Sequence, residues 1–119
     1  MIKEELEAAF ERLVLDNLGE AEEITGHSFF GLRTMIAERG VVTAACRLLE
    51  PSNIGQQFDG FTVFVEADLL RCSVESAVVA FADSGLLSEG VIRTAKTRLA
   101  IAKRKVAREK ASKDQPLDQ

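Results

Sequence analysis

Apolar side chains recur at steps of three and four along nearly all of this sequence, the period of helices that each have one face to bury. Such helices need a common apolar surface. The stretch Asp59-Gly60-Phe61-Thr62-Val63-Phe64-Val65-Glu66-Ala67, continuing through Leu69-Leu70 to Ser73-Val74-Glu75-Ser76-Ala77-Val78-Val79, concentrates the large apolar residues and supplies it. At 119 residues there is material for one core, since domains most often run to about 100–150 residues. The expectation is a single all-α domain over residues 1–111, a compact bundle of about six helices whose long C-terminal helix partly protrudes. A disordered polar tail is expected at 112–119.

Ile2, Leu6, Ala9, Phe10 and Leu13 set one face of an N-terminal helix from about Ile2 to Leu18, with Glu4, Glu5 and Glu7 early, where the helix dipole favours negative charge. Gly19 is expected to interrupt or end it, with a further turn from Glu20 to Ile24. The segment Phe29 to Arg39 predicts the next helix, with Ser28 as N-cap and Gly40 as a left-handed C-terminal glycine. A short helix from Val41 to Glu50 follows and is stopped by Pro51-Ser52-Asn53. So brief a break makes a compact corner, of the kind that helix-turn-helix DNA-binding proteins also use.

After a loop at 54–57, Asp59 is read as the cap of a helix from Gly60 to Ala67 that turns Phe61, Phe64 and Val65 inward. The run Phe61 to Val65 also suits a strand. No partner strand appears elsewhere, and a lone strand leaves its backbone groups unbonded, so helix is preferred. Ser73 is expected to cap a helix to about Phe81, and Ser88 the longest element, from Glu89 to about Ala111, about 35 Å at 1.5 Å per residue.

The net charge of −4 is mild, but its distribution is lopsided. Residues 1–23 carry eight acidic side chains against Lys3 and Arg12, whereas the segment from Arg93 to Lys113 carries nine basic residues against Glu109 alone. Cys46 and Cys72 are too few and too far apart for a disulfide scaffold and read as buried free thiols. With no leader and no run near the roughly 18 apolar residues of a membrane span, the sequence predicts a cytoplasmic protein without a membrane partner.

Candidate chemistries fare poorly. Gly26-His27-Ser28-Phe29-Phe30-Gly31 has the glycine spacing of a phosphate loop, yet Leu32 and Arg33 stand where the lysine and hydroxyl belong. His27 is the only histidine and has no short Cys-x-x-Cys pair to join it at a metal. Pairing His27 with Cys46 or Cys72 as a nucleophile is less economical than a loop histidine and two core thiols. Glu75 is explained by the start of its helix, and Glu66 by an arginine such as Arg71 or Arg47. No enzyme activity, cofactor, metal or small-molecule substrate is therefore expected.

The C-terminal helix is the strongest candidate for function. Ile92, Ala95, Leu99, Ala102 and Val106 form a heptad-like seam, with Arg93, Arg98, Arg104, Lys105 and Arg108 on its flanks and back. Those cations suit phosphates, but the chain has no Tyr or Trp for base stacking. Opposite charges beside apolar seams also set helix pairing. The preferred expectation is a self-contact, or a contact with another protein, through the Ile2, Leu6 and Leu13 face and the Ile92, Leu99 and Val106 seam. The alternatives are a nucleic-acid-binding protein using the five basic residues, and a small inhibitor whose acidic helix occupies a partner's nucleic-acid groove.

One resemblance adds to this. Glu38-Arg39-Gly40-Val41-Val42-Thr43-Ala44-Ala45-Cys46-Arg47-Leu48-Leu49, then Asp59-Gly60-Phe61-Thr62, Glu66-Ala67, Leu70 and Ser73-Val74-Glu75-Ser76-Ala77-Val78, resembles a small uncharacterised bacterial helical domain that occurs alone and beside HNH-type endonuclease and other defence-related modules. The likeness spans roughly residues 26–100. Val41 departs from a second glycine, Val65 from a tryptophan, and Asp68 and Arg71 from a glycine and an acidic residue. The resemblance implies an all-helical core and a setting of phage–bacterium conflict or nucleic-acid processing. It brings no nuclease site, because one histidine does not make the metal-binding set.

Overall fold

The computed structural model describes residues 2–50 and 59–114, over which all regular structure is helical. Among these residues six α-helices follow one another: α1 (Lys3–Thr25), α2 (Phe30–Arg39), α3 (Val41–Leu48), α4 (Asp59–Glu66), α5 (Val74–Ala80) and α6 (Glu89–Asp114). Single 3-10 turns at Leu70–Cys72 and Ala82–Ser84 flank α5. The Phe61–Val65 run is helical, as preferred over a strand. Its Phe61 and Phe64 are fully buried.

These side chains act as the common surface. The ring of Phe29, just ahead of α2, stacks on Phe64 of α4 with centroids 4.9 Å apart, and Phe10 of α1 meets Phe81 edge-on at 5.2 Å. Leu18, Leu49 and Val78 close the same core from α1, from the end of α3 and from α5. Each such side chain contributes about 1.5–3 kcal/mol by leaving water. The short α5 packs on both α1 and α6, so it stands between the two longest helices.

Several boundaries differ from expectation, each for a local reason. Gly19 neither interrupts nor ends α1, which runs on to Thr25. Helix-favouring Glu20-Ala21-Glu22-Glu23 follow it, Ala21 is fully buried, and Glu20 and Glu22 are paired with Arg71 and Arg33. The helix stops instead at Gly26, whose φ of 74° and ψ of 0° lie in the left-handed region and whose N–H donates to the Glu22 carbonyl. Ser28 does not cap α2. The carboxylate of Glu22 takes that role, accepting from the N–H of Phe29 at 3.0 Å.

Gly40 ends α2 with a positive φ, 88°, but its ψ of 155° is extended rather than the left-handed conformation expected, and α3 follows at once and closes at Leu48 rather than Glu50. Ser73 caps α5 by accepting from the N–H of Ser76 at 3.1 Å, and Ser88 accepts from the N–H of Val91 at 3.3 Å. The helix α6 extends to Asp114, three residues beyond expectation, about 39 Å for its 26 residues. The stop at 51–53, the loop at 54–57, the Asp59 side chain and residues 115–119 lie outside what is described.

The end of α4 is a Schellman turn that places later residues. Leu69 N–H donates to the Phe64 carbonyl at 2.8 Å and Asp68 N–H to that of Val65 at 3.2 Å, with Asp68 at φ 59° in the left-handed position. Buried Leu69 continues the core from there. Beyond Ala102, α6 is only thinly covered: from Lys103 to Lys110 only Val106 is half-buried and the rest is exposed, with Thr62, Val65 and Glu66 of α4 and the 68–71 segment alongside. The radius of gyration, 15.5 Å, accordingly exceeds the about 13.5 Å of a compact chain of this length.

Candidate functional site

The inward face of α6 is largely committed to its own domain. Ala95 and Ala102 are buried, Leu99 is 9% exposed, and half-buried Ile92 packs against the core. Small residues here let α6 lie close to α5, and the seam read as a contact with another molecule serves as an internal contact over most of its length. Only Val106 remains at its open end. Leu13 likewise packs on the core, while Leu6 is half-buried and Ile2 is 60% exposed.

The five basic residues also divide. Arg93, Arg104, Lys105 and Arg108 are exposed, as are Lys96, Lys103 and Lys110. Arg93, Arg104 and Arg108 fall along one stripe, since steps of eleven and four return to nearly the same side at 3.6 residues per turn. Arg98 is the exception and is not available to a phosphate. It is 3% exposed, and its Nη1 donates to Glu75 Oε2 at 3.3 Å and to the carbonyl of Leu48 at 2.7 Å. Leu48 ends α3, where the free carbonyls and the helix dipole favour a cation.

Glu75 is fully buried in the first turn of α5. Burial pushes its carboxyl above the ordinary range, against the opposing pull of its own backbone N–H and of Arg98. Its Oε1 has no hydrogen-bond partner among the described residues. Helix position alone predicts none of this; a buried carboxylate was detectable only through its place in the apolar hub. Glu66 is exposed, and Arg71 pairs with Glu20 of α1 rather than with Glu66.

Neither thiol is poised as a nucleophile. Burial raises Cys72, which accepts from Arg71 Nη1 at 3.2 Å, and burial followed by the nearby Glu50 raises Cys46. Cys72 is buried as expected, whereas Cys46 is only half so. His27 packs its ring edge-on against Phe29 at 4.8 Å. Among the described residues no three His, Cys, Asp or Glu side chains come together as a metal site, and no helix is long and apolar enough to cross a membrane.

One surface feature escaped the sequence reading. Where α6 overruns α5, it and the 68–71 connector enclose an open cleft of about 420 Å³. Leu70, Val106 and Ala107 are its apolar lining, and Arg71, Lys103 and Lys110 its cationic lining. Asp68 is the one carboxylate among the described lining residues, with Lys110 Nζ 3.8 Å away. The cleft joins residues more than thirty positions apart, so only the antiparallel packing of α5 on α6 reveals it.

Among the described residues, the ion pairs join α1 to α2, α1 to the connector, α5 to α6 and the connector to α6, and none of these links α1 with α6. The chain matches no family model, no curated protein and no solved structure.

Proposed function

We propose that this chain is a non-enzymatic helical protein-interaction module that associates with a second copy of itself. Following the resemblance noted above, its setting would be phage–bacterium conflict or nucleic-acid processing. The observation that carries the reading is the separation of charge on one molecule: exposed Glu4, Glu5 and Glu11 on α1, exposed Arg93, Lys103, Arg104 and Arg108 on α6, with α5 between the helices. A surface bearing both members of a complementary pair that do not meet within the molecule is self-complementary.

Sedimentation velocity across a salt series tests it. Between 0.01 M and 1 M salt the screening length falls from about 30 Å to about 3 Å. Dimer mass at low salt that reverts to monomer at high salt is expected; monomer mass throughout removes the reading.

A second reading is favoured by the Arg93, Arg104 and Arg108 stripe with Lys105 beside it, all exposed: a phosphate backbone laid along α6. Filter binding to duplex DNA and to RNA separates the two. Retention that falls steeply and log-linearly with salt supports the second reading, and no retention at low salt ends it.

A further inference from the structure

We propose that the cleft between α6 and the 68–71 connector is the seat of a second copy's α1 N-terminus, and that two copies exchange this contact reciprocally about a two-fold axis. This rests on the self-association read above and names its surface. The cleft is lined by apolar Leu70, Val106 and Ala107 and by three cations, of which Arg71 also pairs with Glu20 and Lys110 with Asp68, while Lys103 stands beside them. The start of α1 offers the complement. Ile2, Glu5 and Ala9, spaced by three and four, share one stripe, and all three are exposed, with Glu4 beside them.

Topology explains why the two surfaces do not meet within one molecule. Phe10 lies against Phe81 at the end of α5, and Glu20 against Arg71 ahead of its start, so α1 runs antiparallel to α5. Glu75 pairs with Arg98, and Leu70 shares the cleft with Val106, so α6 also runs antiparallel to α5. The first turns of α1 and the cleft therefore sit at opposite ends of α5. Turning a second copy end over end brings each acidic tip over the other copy's cleft, and the two-fold makes both contacts identical and closes the assembly at two.

Charge reversal in trans tests this with folded protein. Glu4, Glu5, Lys103 and Lys110 are all exposed, so their substitution leaves the core intact, and circular dichroism of each variant verifies it. The doubles E4K/E5K and K103E/K110E each place like charges at both contacts of a homodimer. Each is expected to lose self-association by at least about tenfold. Mixed in equal amounts they restore opposite charges at one contact and keep the parent pairing at the other, so the mixture returns to dimer mass.

Variants that dimerise like the parent, or a mixture that stays monomeric, overturn the cleft while leaving self-association standing. A parent that is monomeric at every salt concentration overturns both. A parent that is monomeric yet shifts a duplex DNA probe, with the shift lost in K103E/K110E, overturns the cleft in favour of nucleic acid.

Discussion

Arg98 Nη1 lies 3.3 Å from Glu75 Oε2 with both side chains withdrawn from water, and the same nitrogen reaches the last carbonyl of α3. One guanidinium thus ties α6 to α5 and α3. Removing it strands a carboxylate in the core. Arg98→Ala is expected to cost about 3–5 kcal/mol, whereas replacing the pair together by Arg98→Met and Glu75→Leu recovers most of that loss, because desolvation offsets much of what a buried pair gains. Urea unfolding of the two single variants and the double closes the cycle. A double variant no more stable than the worse single one contradicts the assignment.

Glu22 closes the corner between α1 and α2 with three bonds, accepting from Arg33 Nη2 at 2.7 Å, Arg33 Nε at 3.1 Å and Phe29 N–H at 3.0 Å. Arg33, and then the Phe29 amide, hold its carboxyl below the ordinary 4.5. A group depressed on folding stabilises fully above its unfolded value, and loses that contribution as pH falls through the unfolded value and then the folded one. Arg33 is 38% exposed, so water screens the pair and keeps Glu22→Gln to about 1 kcal/mol at pH 7. The difference between parent and variant should shrink as urea midpoints are followed from pH 7 to pH 3. A constant difference would place the contribution outside the charge.

These two cases show what the sequence could and could not disclose. Phe61, Phe64 and the caps at Ser73 and Ser88 were legible because periodicity and capping act over three or four residues. The partner of Glu22 stands eleven residues away and that of Glu75 twenty-three, beyond any local pattern. Arg98 read as one more surface cation because charge groups it with its basic neighbours; steps of five and six residues in fact turn it about 140° and 120° away from Arg93 and Arg104, toward the buried seam, and its partners Glu75 and Leu48 are too distant in sequence to be read from it. The seam failed as a guide to a free surface because a heptad-like stripe is equally what a helix needs to pack on its own core.

Gly19 sits in mid-helix with no conformational requirement for glycine. A Cβ built there meets only Arg33 Nη2, at 3.9 Å, an ordinary contact with the end of a flexible side chain. Glycine in a helix interior is about 0.5–1 kcal/mol worse than alanine, through the backbone freedom lost on folding. Gly19→Ala is expected to raise stability by about that amount, read as an upward shift of the thermal midpoint. A destabilised variant would mean that the Glu22–Arg33 corner needs the space.

Asp68 connects the backbone of the fold to the proposed contact. It holds φ 59° at the left-handed position of the α4 turn, a conformation that glycine adopts freely and aspartate at a small cost. Its only ion pair described is with Lys110 at 3.8 Å between two exposed side chains, which contributes about 0–1 kcal/mol. Asp68→Gly should therefore leave stability level or raised, by no more than about 1 kcal/mol. The same change removes the carboxylate from the cleft's described lining and releases Lys110 toward an incoming acidic helix. Self-association at low salt should tighten severalfold, with the gain lost at high salt as screening takes over. Sedimentation equilibrium of D68G beside the parent reads both arms, and weaker association in a variant that is fully folded would mean that Asp68 itself accepts a bond from the partner.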